Sequence, residues 1–89
     1  MQDLNDMLYF AEVVDQGGFA AAGRSLGIPK SRLSRRVAEL EAQLGARLLQ
    51  RTTRRVALTD AGDAFYRHCA AMRESARAAQ DAVAALQVA

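Results

Sequence analysis

Within six residues, Lys30, Ser31, Arg32, Ser34 and Arg35 bring together three cations and two hydroxyls. A guanidinium group presents a planar fork of donors that can hold a phosphate, or the paired acceptors on a base edge, with two hydrogen bonds at once. A serine hydroxyl bonds either. Further along the chain Arg51, Thr53, Arg54 and Arg55 repeat the combination. This is the chemistry of polyanion recognition. The competing reading is a solvated, charged helix face, and charge alone does not separate the two. Other chemistries are poorly provided for. One His (His68) and one Cys (Cys69) cannot close a zinc site without unusual partners. No Ser/His/Asp or Cys/His arrangement and no glycine-rich phosphate loop stands out. No catalytic residue, metal ligand or cofactor is therefore assigned, and an enzyme is the weakest class.

The first basic cluster opens a predicted helix from about Lys30 to Leu44. Leu33, Val37, Leu40 and Leu44 are spaced 4, 3 and 4 and form one apolar stripe; Gly45 ends it. Opposite the stripe lie Ser31, Arg35, Ala38 and Ala42, with Arg32 and Ser34 beside them. The exposed first half of this helix is thus basic and hydroxylated, with small residues behind it. Arg36 sits nearer the apolar edge, where acids of the first helix could pair with it.

Two helices precede it. Leu4, Met7, Leu8, Ala11 and Val14 follow helical spacing up to Gly17–Gly18, with Asp3 or Asn5 as cap. Residues 19–26 form a short alanine-rich helix terminated by Gly27. After the third helix, residues 47–58 look extended, with Thr52–Arg55 as the polar tip of a hairpin. An isolated hairpin is marginal, so it must pack through Leu48, Leu49, Val56 and Leu58.

Thr59 then caps a long helix with Asp60 and Asp63 in its first turn. Phe65, Cys69, Met72, Ala76, Ala79, Val83 and Leu86 alternate spacings of 4 and 3, a heptad seam. A helix from Asp60 to Gln87 reaches about 42 Å. It is too long to be covered by the rest of so small a chain, and a partner helix is the natural way to bury the remainder. Cys69 reads as a buried structural thiol on that seam and His68 as a surface residue. Phe10, Phe19, Phe65, Met7 and Met72 read most simply as core.

The 89 residues suffice for one small domain, and 51% apolar with 25% charged residues is a globular composition. No run is long enough to span a membrane. The first ten residues hold two acids and no basic residue, which argues against a secretory leader. The net charge of +2 conceals three blocks: −4 over residues 1–23, +7 over 24–55 and −1 over 56–89. A net-acidic last helix also fits a membrane surface poorly.

A short helix, a glycine turn and a helix with an Arg/Ser-rich opening make a helix-turn-helix pattern, here followed by a hairpin wing. A helix fits the major groove of B-DNA, where its N-terminal side chains meet base edges and its positive dipole end favours phosphate. A hairpin tip carrying arginines can reach a neighbouring minor groove. In LNDMLYFAEVVDQGGF, AAAGRSLGI and LSRRVAELEAQLGARLLQRTTRRVALTDAG, the chain resembles the N-terminal domain of LysR-type transcriptional regulators almost end to end. Leu33-Ser34-Arg35, Leu40-Glu41, Leu44-Gly45, Leu48-Leu49, Arg51-Thr52 and Leu58-Thr59-x-Ala61-Gly62 sit at the family's mutual spacing. Each pair is weak; jointly they are specific.

The resemblance implies a mainly α fold: a winged helix-turn-helix of three helices and a short hairpin over residues 1–58, then a linker and dimerisation helix over 59–89. It implies double-stranded DNA as partner, read as an interrupted palindrome by a homodimer whose linker helices pair antiparallel. It implies a bacterial, cytoplasmic, nucleoid-associated protein with no membrane partner. A small-molecule effector domain would belong to the rest of a longer regulator, with no cofactor expected in this part. The DNA contacts expected are Lys30, Ser31, Arg32, Ser34, Arg35, Arg51, Thr53, Arg54 and Arg55. The seam from Phe65 to Leu86 is the expected dimer interface. The chain departs from the family pattern in two places. Lys30 stands where a Gln often approaches bases, and Gly18-Phe19-Ala20 replaces a Ser-Phe-Thr start. The alternative is a helical interaction module whose basic face binds an acidic protein.

Overall fold

The computed structural model describes residues 3–50 and 56–87. Four helices and one short two-stranded ladder follow in the order α1 (Leu4–Gln16), α2 (Phe19–Leu26), α3 (Lys30–Leu44), β1 (Leu49–Gln50), β2 (Ala57–Leu58) and α4 (Asp60–Leu86). Each helix lies where the apolar spacing placed it. Asp3 caps α1 by accepting the Asn5 N–H, and Thr59 caps α4 by accepting the Gly62 N–H. The strands are antiparallel, with Leu49 opposite Leu58 and Gln50 opposite Ala57. Among the described residues of the expected extended segment these four form the ladder; residues 51–55 lie outside the described residues.

The first three helices and the root of α4 enclose one core. Phe10 and Val13 of α1 meet Leu33, Val37 and Leu40 of α3, closed below by Leu48 and Leu49. Phe10 and Phe65 pack with ring centres 5.7 Å apart, which ties α4 to α1. Leu44, the last residue of the α3 stripe, differs from expectation: it is 36% exposed, because α3 outruns the core at its C-terminal end. The molecule measures 53 × 25 × 21 Å. The long dimension reflects α4, whose 27 residues would extend about 40 Å. No described helix is long and apolar enough to cross a membrane.

Candidate nucleic-acid interface

α3 begins after Pro29, whose fixed backbone sets the entry and whose side chain cannot cap. Ser31 therefore does not serve as cap, and no side chain bonds the first free N–H groups of α3. Lys30, Ser31, Arg32 and Arg35 are exposed and Ser34 is half-buried. Ala38 and Ala42 continue the same exposed face. Leu33, Val37 and Leu40 are fully buried on the other side, which points the basic face outward.

The ion pairs divide the described cations into two sets. Arg36 bonds Asp6 at 2.7 Å and Asp3 at 2.8 Å, and lies 5.8 Å from the centre of the Tyr9 ring. Arg67 pairs with Asp63, Arg73 with Asp15 and Arg77 with Glu74. Among the described residues Arg24, Lys30, Arg32, Arg35 and Arg47 make no ion pair. The helical partner available to Arg35, Glu39 one turn on, is not used. Among the described residues the cations without an ion pair thus fall on residues 24–47, four of them on α2 and the opening of α3. Arg36, adjacent in sequence to Arg35, is neutralised by α1.

The turn between α2 and α3 depends on a missing side chain. A β-carbon at Gly23 would stand 2.7 Å from the Ile28 carbonyl oxygen, inside contact distance. With only hydrogen there, the chain folds back and the Ile28 N–H reaches the Gly23 carbonyl at 3.0 Å. The fold-back brings Arg24 beside Lys30 around a shallow hollow lined also by Gly23, Ile28 and Pro29. Arg24 escaped the sequence-based assignment of contacts, because its place beside Lys30 follows from this turn rather than from spacing on one helix.

The root of the wing is held by a buried carboxylate. Glu41 is 7% exposed and accepts the backbone N–H of Leu48 at 2.8 Å and of Leu49 at 3.2 Å. On the other strand the Thr59 N–H reaches the Leu48 carbonyl at 3.1 Å, while the Thr59 hydroxyl donates to the Arg47 carbonyl at 2.6 Å. α3, β1 and the start of α4 are therefore locked at one point, from which the chain leaves toward residues 51–55. Arg51, Thr53, Arg54 and Arg55, the expected wing contacts, fall outside the described residues. In the sequence Glu41 stands out only within the Leu40-Glu41 pair of the family resemblance; its burial comes from the return of the chain at Leu48.

The seam along α4 divides in two. Cys69 is fully buried and Phe65 packs on the core, while Met72 is half-buried. Cys69 is thus enclosed in the chain's own interior and Phe65 packs partly against it, because α1 occupies that side of the helix. Ala76 and Ala79 are exposed, Val83 is 56% exposed and Leu86 87%. Burial pushes the Cys69 thiol up to about 11, against a smaller pull from Arg73. His68 is exposed. Among the described residues no cluster of side chains is arranged to hold a metal ion.

A tight helix–turn–helix with unpaired cations on the opening of its second helix, followed by a hairpin and a long helix, defines a winged helix-turn-helix. The family model "Bacterial regulatory helix-turn-helix protein, lysR family" matches residues 4–63, and the chain belongs to that family. It is 54% identical over 85 residues to an HTH-type transcriptional regulator of Xanthomonas campestris pv. campestris, covering 96% of this chain and 25% of that protein. It is 46% identical over 84 residues to the probable HTH-type transcriptional regulator LtrA of Klebsiella pneumoniae, covering 94% of this chain and 27% of that protein. The chain spans about a quarter of the length of these relatives. Its fold is similar to that of the BenM DNA-binding domain crystallised with catB site 1 DNA, with a TM-score of 0.89 and 28% identity. That match covers 99% of this chain and 98% of the other. It is also similar to full-length AphB of Vibrio cholerae, with a TM-score of 0.83 and 32% identity over 92% of this chain and 28% of that one. These relatives are named as transcriptional regulators rather than enzymes, which favours this reading over a general interaction module.

Proposed function

We propose that this chain is the DNA-reading part of a transcriptional regulator and acts as a homodimer on an interrupted palindrome. Recognition falls to residues 1–58 and assembly to the exposed part of 59–89. The observation that carries the reading is the division of the described cations: Lys30, Arg32 and Arg35 at the opening of α3, with Arg24 of α2 beside Lys30, are exposed and make no ion pair, while Arg36, Arg67, Arg73 and Arg77 are bonded to acids of the chain. A folded protein that leaves several neighbouring cations without acids presents a positive face, and the geometry here is a helix end narrow enough for the major groove.

Arg35 is assigned to a base edge, and Lys30, Ser31, Arg32 and Ser34 to bases or phosphates around it. Arg51, Thr53, Arg54 and Arg55 are assigned to the wing contact and set register through the backbone of the duplex. Ala76, Ala79, Val83 and Leu86 form the dimer seam, with Met72 at its inner edge. Two recognition helices would then enter successive major grooves about 34 Å apart. Such a protein works on the chromosome, in the bacterial cytoplasm.

The test is fluorescence anisotropy with random duplex DNA at several salt concentrations, then with DNA from upstream of the chain's own gene. A steep log–log salt slope and tighter binding to the second duplex are expected. Absence of binding to both at low salt would overturn the reading.

A further inference from the structure

Asp15 lies in the last turn of α1 and holds two side chains of α4. Its Oδ1 accepts the Tyr66 hydroxyl, and its Oδ2 lies 2.7 Å from Arg73 Nη1. Tyr66 and Arg73 are seven residues apart, two turns along one face of the helix. One carboxylate therefore spans two turns of α4. Side chains of Arg73 and Asp15 are about one-third exposed, at 31% and 34%. Beyond Arg73 every residue of α4, from Glu74 to Leu86, is exposed. The contact stands where α4 leaves the body.

That position gives a weak interaction a large geometric effect. A partly exposed ion pair adds little to stability, but this one is the outermost tie on a projecting arm. From Arg73 to Leu86 the helix advances about 20 Å, so a change of tilt of about 10° moves its far end by about 3 Å. One base-pair step is about 3.4 Å. We propose that Asp15, through Tyr66 and Arg73, is the positioning residue that sets the angle of α4 on the helix-turn-helix, and so the half-site spacing that the dimer accepts. This rests on the dimeric DNA reading proposed above.

The neighbouring carboxylate supplies a control. Glu12 bonds Ser25 and Gln16, joining α1 to α2 and to itself without touching α4. The exposed Ala38 on α3 offers a site for a spin label as Ala38→Cys, since the native Cys69 is buried. Pulsed electron-electron dipolar spectroscopy of the labelled chain reads the distance between the two recognition helices of the dimer. Asp15→Ala is expected to shift or broaden that distribution by about 3–6 Å. Arg73→Lys should retain a narrow distribution, and Glu12→Ala should leave it unchanged. On a site selected by the parent chain, Asp15→Ala should lose the preference for the original half-site spacing over spacings one base pair longer or shorter. Binding to random duplex DNA should stay within about twofold, because the phosphate contacts are intact. A dimer whose distribution is the same with Asp15→Ala would overturn the positioning role while leaving the dimer standing. Equal shifts for Asp15→Ala and Glu12→Ala would overturn it too, as general loosening. Absence of any interspin distance in the parent chain would instead overturn the dimer and the proposal together.

Discussion

A β-carbon added to Gly62 would stand 2.0 Å from the backbone carbonyl oxygen of Leu48. The first turn of α4 is thus seated directly on the strand that leads into the wing. The same carbonyl accepts the Thr59 N–H, so the cap of α4 and the root of the hairpin share one atom. This explains physically why Gly follows the capping Thr at this spacing: any larger residue would drive the long helix off the hairpin.

Gly62→Ala is accordingly expected to destabilise the chain by about 1–3 kcal/mol, toward the upper end because the obstacle is backbone that cannot rotate away. Chemical denaturation followed by circular dichroism measures this. An unchanged midpoint would mean that α4 can lift off Leu48 freely.

Arg35 and Arg36 should behave as opposites although they are adjacent. Arg35→Ala should weaken specific binding by about 1–3 kcal/mol if it reads a base edge. Arg36→Ala should change neither specificity nor the salt slope, because Arg36 already bonds Asp3 and Asp6; its effect belongs to the docking of α3 on α1. Anisotropy titrations of both variants over a salt series decide this. Equal losses of specificity would refute the division.

Arg54→Ala should weaken binding to all sequences alike and lower the salt slope by about one, as expected for a single phosphate contact. A loss that depends on sequence would indicate groove reading by the wing.

Cys69 should be unreactive in the folded chain. Its thiol holds its proton up to about 11 in place of an ordinary 9.0, and only the thiolate attacks disulfide reagents. Ellman's reagent at about pH 8 should label it on unfolding and hardly before. The folded value exceeds the unfolded one, so the associated stability is complete below about pH 9 and is lost as pH rises toward 11. Tyr66 shifts the same way, raised first by its hydrogen bond to Asp15. Thermal midpoints should fall across that window, and less steeply with Cys69→Ala. A flat profile would contradict the burial.

Val83→Glu tests the outer half of the seam. Val83 is 56% exposed in the single chain, so the substitution should leave its fold intact while placing like charges across a helix pair. Sedimentation is expected to show a dimer for the parent chain and a monomer for the variant. A surviving dimer would place the interface elsewhere.

The four helices, their caps and the outward basic face of α3 were legible from local signals. Apolar spacing, glycine stops and a capping Thr act over a few residues, and a helix pattern with a buried stripe leaves only one face for Ser31 and Arg35. The relations that set the molecule's geometry were not legible, because they join residues far apart in the chain. The pairing of Arg36 with acids of the first helix was expected from its place at the apolar edge, but not which acid it meets, Asp6 across thirty positions; nothing local pointed to Asp15 meeting Arg73 across fifty-eight. The burial of Glu41 arises only when Leu48 returns to it, and the need for hydrogen alone at Gly23 and Gly62 only when a carbonyl arrives there. The heptad seam shows the division most directly. Its period follows from residue spacing along one helix. Which half of it faces the chain's own core was decided by where α1 packs, because a helix face is buried by whichever surface reaches it first.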